Sequence, residues 1–137
     1  MARILAIDFG LKRVGIAATD PLQIIANALD TVETAKLIPY LIQYIKREPV
    51  ETIVVGVPID LWGNDTHATE SVKKCIELLK KTFVDIKIDT IDERYTTKMA
   101  QSTLIAAGVS KKYRRHKGNL DKVSATIILQ DYLLWKK

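Results

Sequence analysis

Arg3-Ile4-Leu5-Ala6-Ile7-Asp8-Phe9-Gly10-Leu11-Lys12-Arg13-Val14-Gly15-Ile16-Ala17 is the stretch from which the rest of the chain can be read. Four consecutive apolar residues, Ile4 to Ile7, run without alternation into a carboxylate and a glycine, the pattern of a strand buried on both faces that ends at a site. Asp8 is expected at that strand's end. Gly10-Leu11-Lys12 reads as a tight turn in which Gly10 takes positive φ, and Val14 to Thr19 returns as a second strand. A carboxylate beside a glycine-bearing hairpin lets a phosphate and a cation approach the backbone closely. Taken alone, the same aspartate could instead serve only to bond the turn amides.

Length and composition narrow the setting. With 137 residues, 47% of them hydrophobic, the chain suits one domain spanning residues 1–137 with a sizeable core. Its one cysteine, Cys75, cannot form an internal disulfide, and the two histidines, His67 and His116, stand too far apart for a zinc motif. Cys75 lies on an apolar helical stripe and is expected in the core. No apolar run approaches the ~18 residues of a membrane span, and no secretory signal opens the chain, so a reducing cytoplasmic compartment is expected. The net charge is +5. Lys111, Lys112, Arg114, Arg115 and Lys117 fall in one short window, and without them bases and acids balance. The excess therefore points to a local contact with a polyanion, against the alternative of a merely solvated loop.

Taken in order, the first two strands are followed by the turn Asp20-Pro21 and by a more exposed third strand, Ala28 to Glu33. Three strands joined by short turns should be antiparallel neighbours. Ile38, Leu41, Ile42 and Ile45 then share one helical face, with Pro39 near the helix start and Glu48-Pro49 at its end. Ile53-Val54-Val55-Gly56-Val57-Pro58 is a second continuous apolar run, and the intervening helix implies a crossover that sets it parallel to the first strand. Asp65 or Thr66 would cap a helix burying Ala68, Val72, Cys75, Ile76 and Leu79. Ile86 to Ile91 reads as a further central-type strand ending in Asp92-Glu93-Arg94-Tyr95-Thr96-Thr97. A helix closing at Ala107-Gly108 should follow, and Asn119 should cap a last helix from Leu120 to Trp135. The expected class is α/β, a five-stranded mixed sheet of three antiparallel and two parallel strands flanked by helices.

Three carboxylates hold special positions in this scheme: Asp8 ends the first strand, Glu93 ends the last, and Asp121 begins the terminal helix one turn before the small Ala125. Open α/β sheets form their sites at the carboxyl ends of the strands. Carboxylates converging without histidine or cysteine make a hard-oxygen site suited to Mg²⁺ or Mn²⁺. Singly, Glu93 could only pair with Arg94 and Asp121 could only complement the helix dipole; the joint arrangement beside a basic loop favours a site.

These motifs together, the hairpin Asp8 to Gly15, Val54-Val55-Gly56-Val57-Pro58, Asp92 to Thr97, and Asp121-x-x-x-Ala125 through Ile128-Leu129-Gln130, resemble the YqgF family, also called RuvX, over essentially the whole chain. The resemblance implies a ribonuclease H-like fold, a bacterial cytoplasmic protein and a nuclease role in maturing the 5′ end of pre-16S ribosomal RNA, with kinship to the RuvC Holliday-junction resolvases. It carries the family's acidic positions onto Asp8, Glu93 and Asp121, with Gly10, Arg13, Arg94 and Thr97 beside them. RuvC-type resolvases carry a glutamate at the end of the crossover strand. Here that place reads Gly56-Val57-Pro58, and Glu93 on the neighbouring strand takes the acidic role.

The mechanism expected is metal-assisted phosphodiester hydrolysis, with Asp8 shared by two Mg²⁺ or Mn²⁺ ions and Glu93 and Asp121 each completing one shell. Arg13 or Arg94 would hold a phosphate, and Lys111, Lys112, Tyr113, Arg114, Arg115 and Lys117 would bind the strand. The partner expected is nucleic acid, RNA ahead of branched DNA. Two rivals stand beside this reading: a Holliday-junction nuclease and a non-catalytic RNA-binding assembly factor. An actin-like ATP site would need a second lobe that 137 residues do not supply.

Overall fold

The chain is described by a computed structural model over residues 2–10, 12–57, 67–92 and 117–136. Strand β1 (Arg3–Phe9) runs through the middle of a five-stranded sheet, and its residues Ile4 to Ile7 are wholly shut off from solvent. β2 (Arg13–Thr19) and β3 (Ala26–Glu33) extend the sheet antiparallel on one side. β4 (Val50–Val57) and β5 (Lys87–Asp92) extend it parallel on the other, giving the order β3-β2-β1-β4-β5. The mixed sheet and the crossover into β4 are as the apolar runs lead one to expect. β5 differs: it is an edge strand with one neighbour, which is why Asp89 and Thr90 are tolerated in a run that reads as central.

Two layers cover the sheet. A short 3-10 turn, Thr34–Lys36, leads into α1 (Leu37–Arg47), and α2 (His67–Thr82) follows β4. They pack on the face that carries Leu5, Ile7, Ile53 and Val55. α3 (Lys117–Lys136) packs on the opposite face, where Ala125, Ile128, Leu129, Tyr132 and Leu133 meet Ile4, Ala6, Ala17 and Val54. The split follows the two-residue period of strands, which sends alternate side chains to opposite faces. At about 25 cal/mol per Å² of apolar surface removed from water, burial on both faces is the main stabilising term.

Several local expectations need correction. α1 buries Leu37, Leu41 and Tyr44, while Ile42 faces solvent. The helix begins at Leu37, near Pro39 as expected; proline is tolerated there because first-turn amides have no partner inside the helix. Asn119 lies inside α3 and does not cap it, since the helix already begins at Lys117. Cap rules locate a helix end only to within one or two residues. On α2, Val72, Cys75 and Leu79 are buried and Ile76 is half-buried, as its stripe implies. Asp65 and Thr66, and the helix expected to close at Gly108, lie outside the described residues, as does the side chain of Ala68.

The end of the sheet remote from Asp8 is closed by polar contacts. β1 and β4 slip in register between Arg3 and Ile4, and the Ile4 amide donates to the Thr19 hydroxyl at 2.9 Å. Arg3 donates to the Thr19 carbonyl at 2.9 Å and pairs with Glu48 at 3.2 Å. In the β2–β3 turn Asp20 accepts from the Leu22, Ile24 and Ile25 amides, which hold its carboxyl below the usual range despite some desolvation. Gln23, at φ 60°, donates to the Ala2 carbonyl and to Glu51. Among the described residues no helix is long and apolar enough to cross a membrane.

Candidate functional site

Asp8 is half-buried at the carboxyl end of β1, on the face shared with Ile4 and Ala6 and therefore with α3. On β2 its partner is Gly15. On β4 the register passes from the Ile7–Val55 pair to Gly56. A glycine thus stands in the strand on either side of the carboxylate, so neither of these two positions places a Cβ beside it. This flanking is visible only once the register is known, because Gly15 and Gly56 are 41 residues apart in sequence.

The turn after Asp8 is held from β3. The Thr34 hydroxyl donates to the Gly10 carbonyl at 2.7 Å, and the Thr34 amide donates to the Lys12 carbonyl at 3.0 Å. Gly10 does not need the positive φ expected of it. Its need is space: a Cβ there would stand 2.5 Å from the Arg13 carbonyl oxygen. Arg13 opens β2 opposite Glu33, so the hairpin brings a guanidinium-bearing residue to the end of the sheet where Asp8 lies.

β5 ends at Asp92, paired with Val57, so Glu93 follows directly on a strand that ends beside β4. Asp121 is in the first turns of α3, one turn before Ala125 and two before Ile128, which both pack on the sheet. The elements that carry or precede the three carboxylates are therefore neighbours. The side chains of Glu93 and Asp121 lie outside what is described. Outside it too are Arg94, Thr97, Lys111, Lys112, Tyr113, Arg114 and Arg115. Lys117 belongs to α3 as its first residue, a correction to its place in a basic loop.

α3 is tied to β5 by the Tyr132 hydroxyl, which donates to an Asp89 carboxylate oxygen at 2.9 Å. Burial, reinforced by Asp89, pushes the Tyr132 phenol up to about 12. Asp89 is itself held below the usual carboxylate range: desolvation opposes this, but the Thr90 amide, Tyr132 and Lys87 together outweigh it. Cys75 is buried, and desolvation pushes its thiol up to about 11, so it is an inert core residue. Among the described residues no three His, Cys, Asp or Glu side chains cluster to hold a metal. Asp8 supplies a hard oxygen donor, and the donors expected to join it are those of Glu93 and Asp121.

A family model described as "RuvX: Holliday junction resolvase" matches residues 2–134. A protein of Amoebophilus asiaticus named "Putative pre-16S rRNA nuclease" is 51% identical over 133 residues, covering 97% of this chain and 94% of its own. One of the same name from Phocaeicola vulgatus is 44% identical over 137 residues, covering 100% and 99%. Among solved structures, RuvC of T. thermophilus in complex with a Holliday junction substrate aligns with a TM-score of 0.62 at 12% identity, over 99% of this chain and 96% of that one. At that identity the likeness concerns the fold, and the fold is ribonuclease H-like, as the motifs imply. A match spanning nearly every residue and relatives this similar over their full length lead to one assignment: the chain belongs to the RuvX family.

Proposed function

We propose that this protein is a metal-dependent nuclease that hydrolyses phosphodiester bonds at the 5′ end of pre-16S ribosomal RNA. The observation that carries the reading is the placement of Asp8 at the carboxyl end of the central strand, flanked by Gly15 and Gly56, in a chain 51% identical to a named pre-16S rRNA nuclease. Glu93 and Asp121 complete the ligand set in this proposal; the reading is supported by β5 running parallel to β4 and β1 and by α3 packing on the face that carries Asp8.

The residues present suit Mg²⁺ or Mn²⁺, two ions in all, since carboxylates unaccompanied by histidine or thiolate favour hard cations. Such ions, when bound, supply an acidified water and charge stabilisation at the leaving oxygen. The protein's own part is positional. Asp8 holds its carboxylate in the gap between two glycines, and Arg13 and Arg94 orient a phosphate by charge-assisted hydrogen bonds. Thr97 lies beside them, Gly10 keeps the turn tight, and the basic residues Lys111 to Lys117 draw in the strand, with Tyr113 offering a ring to a base. The expected setting is the cytoplasm.

The reading is tested by incubating the protein with a pre-rRNA 5′ fragment and a four-way DNA junction at equal salt, with Mg²⁺, Mn²⁺ or a chelator. Metal-dependent cleavage of the RNA supports it. Tight junction-specific binding with symmetric nicking would move the substrate to branched DNA, and nucleic-acid binding without turnover under any metal would make the protein an assembly factor.

A further inference from the structure

Asp8 and Phe9 are consecutive on β1, so their side chains leave opposite faces of the sheet: Asp8 toward α3, and Phe9 toward the layer of α1 and α2. Phe9 there forms a wall of a cavity of about 230 Å³. Leu37 from the first turn of α1 and Cys75 from α2 are buried at its floor, whereas Lys74 and Leu78 are exposed at its rim. Phe9 is the last residue of β1, and Thr34, which also lines the cavity, anchors the Gly10 turn. Nothing in the proposed metal site uses it.

Its chemistry restricts the occupant. An interior lined by an aromatic ring and aliphatic chains rejects a charged group, which would be desolvated without partners. Its volume lies below the roughly 300–1,000 Å³ of sites for drug-sized ligands, which leaves room for about one planar ring system. The exposed ammonium of Lys74 at the rim asks for an anion just outside the slot. A flat ring that packs through its faces, joined to an external anion, describes a nucleotide. Asp8 and Phe9 are consecutive at the end of β1, so a strand bent over that end passes from the face of the carboxylate to the face of the slot.

We propose that this slot is a base-binding subsite: one unpaired nucleobase of the bound strand stacks on Phe9 while Lys74 contacts the phosphate of the same nucleotide. The inference rests on the phosphodiester reading above. It adds a prediction about specificity. Among the described residues that line the slot, Thr34, whose hydroxyl already donates to Gly10, and Ser71 offer polar groups besides Lys74. Such a site holds any base by stacking and favours purines for their larger area, with little sequence preference.

Wild-type protein is titrated with adenosine monophosphate and, in parallel, with ribose 5-phosphate, which keeps the anion and lacks the base. The side-chain methyl resonances of Ile38 and Leu78 are expected to shift with the first and stay in place with the second. Leu78→Trp, which fills the slot from an exposed position, should weaken single-stranded RNA binding roughly 5- to 150-fold, the range of one lost base stack. Lys74→Gln should weaken it less and reduce its salt dependence. If RNA binds and is cleaved while adenosine monophosphate leaves those methyls unmoved and Leu78→Trp binds like wild type, the subsite is refuted and the nuclease reading stands. If the methyls respond to the base but no metal supports cleavage, the subsite stands and the nuclease reading falls.

Discussion

The hydroxyl of Tyr132 donates to the carboxylate of Asp89 at 2.9 Å, joining α3 to β5 across 43 residues of sequence. One partner sits on the helix that carries Asp121, the other three residues before the end of the strand that precedes Glu93. This bond therefore fixes how the two elements on which the candidate site depends lie against each other. Replacing the phenol leaves Asp89 with the Thr90 amide and Lys87, so Tyr132→Phe should cost about 1 kcal/mol at neutral pH, near the middle of the range for one hydrogen bond.

The pH dependence of that loss has a definite sign. Tyr132 is raised from its ordinary 10.0 to about 12, so its contribution is complete below pH 10 and disappears as pH rises toward 12. Asp89 is lowered, so its contribution is present above its ordinary 3.8 and lost as pH falls through the depressed value. Urea unfolding of wild type and Tyr132→Phe at pH 7, 10 and 11.5 should show the gap between them narrowing at the alkaline end. No gap at pH 7 would mean the bond does not contribute, and a gap that stays constant to pH 11.5 would mean the phenol is not raised.

Gly10→Ala places a methyl 2.5 Å from the Arg13 carbonyl oxygen, a backbone atom of a residue paired with Glu33 in the β2–β3 ladder. Something must move, and the hairpin that presents Asp8 is the part that can. A loss of about 1–3 kcal/mol is expected, as for other overpacked sites, with cleavage falling further than stability alone explains. Unfolding free energy and activity measured side by side check this; a variant as stable and active as wild type would show that the turn has slack.

Much of this was legible from residue pattern because burial on both faces of a sheet leaves a plain mark. Ile4 to Ile7 and Ile53 to Val55 could hardly be anything but central strands, and a helix between β3 and β4 dictated their parallel pairing. What pattern does not carry is register. That β5 is an edge, that Gly15 and Gly56 flank Asp8, and that Phe9 walls a slot between two helices all depend on which residues the fold sets side by side. Asn119 misled for a different reason: a cap residue locates a helix end only to within one or two positions, and the helix already includes Lys117 and Gly118.

The basic run is expected to act through phosphates. With Lys112, Arg114 and Arg115 replaced by glutamine, affinity for single-stranded RNA at low salt should drop, and the log–log salt slope should flatten by up to about 2 units if all three touch phosphates. Thermal stability should change by no more than ~0.5 kcal/mol, as for most surface substitutions. Salt-titrated binding of the triple variant decides the matter, and an unchanged affinity and slope would return the run to an ordinary solvated segment.

The central claim is that Asp8, Glu93 and Asp121 act as one metal-binding set for phosphodiester hydrolysis, and single-turnover cleavage of a pre-16S 5′ RNA fragment in Mg²⁺ or Mn²⁺ tests it most directly. Asp8→Asn, Glu93→Gln and Asp121→Asn should each lower the rate on the order of 10³-fold or more while circular dichroism shows the fold retained, and double variants should lose little beyond the singles because the residues act as a unit. Three single variants that cleave like wild type, once contaminating nuclease has been excluded, would contradict the account.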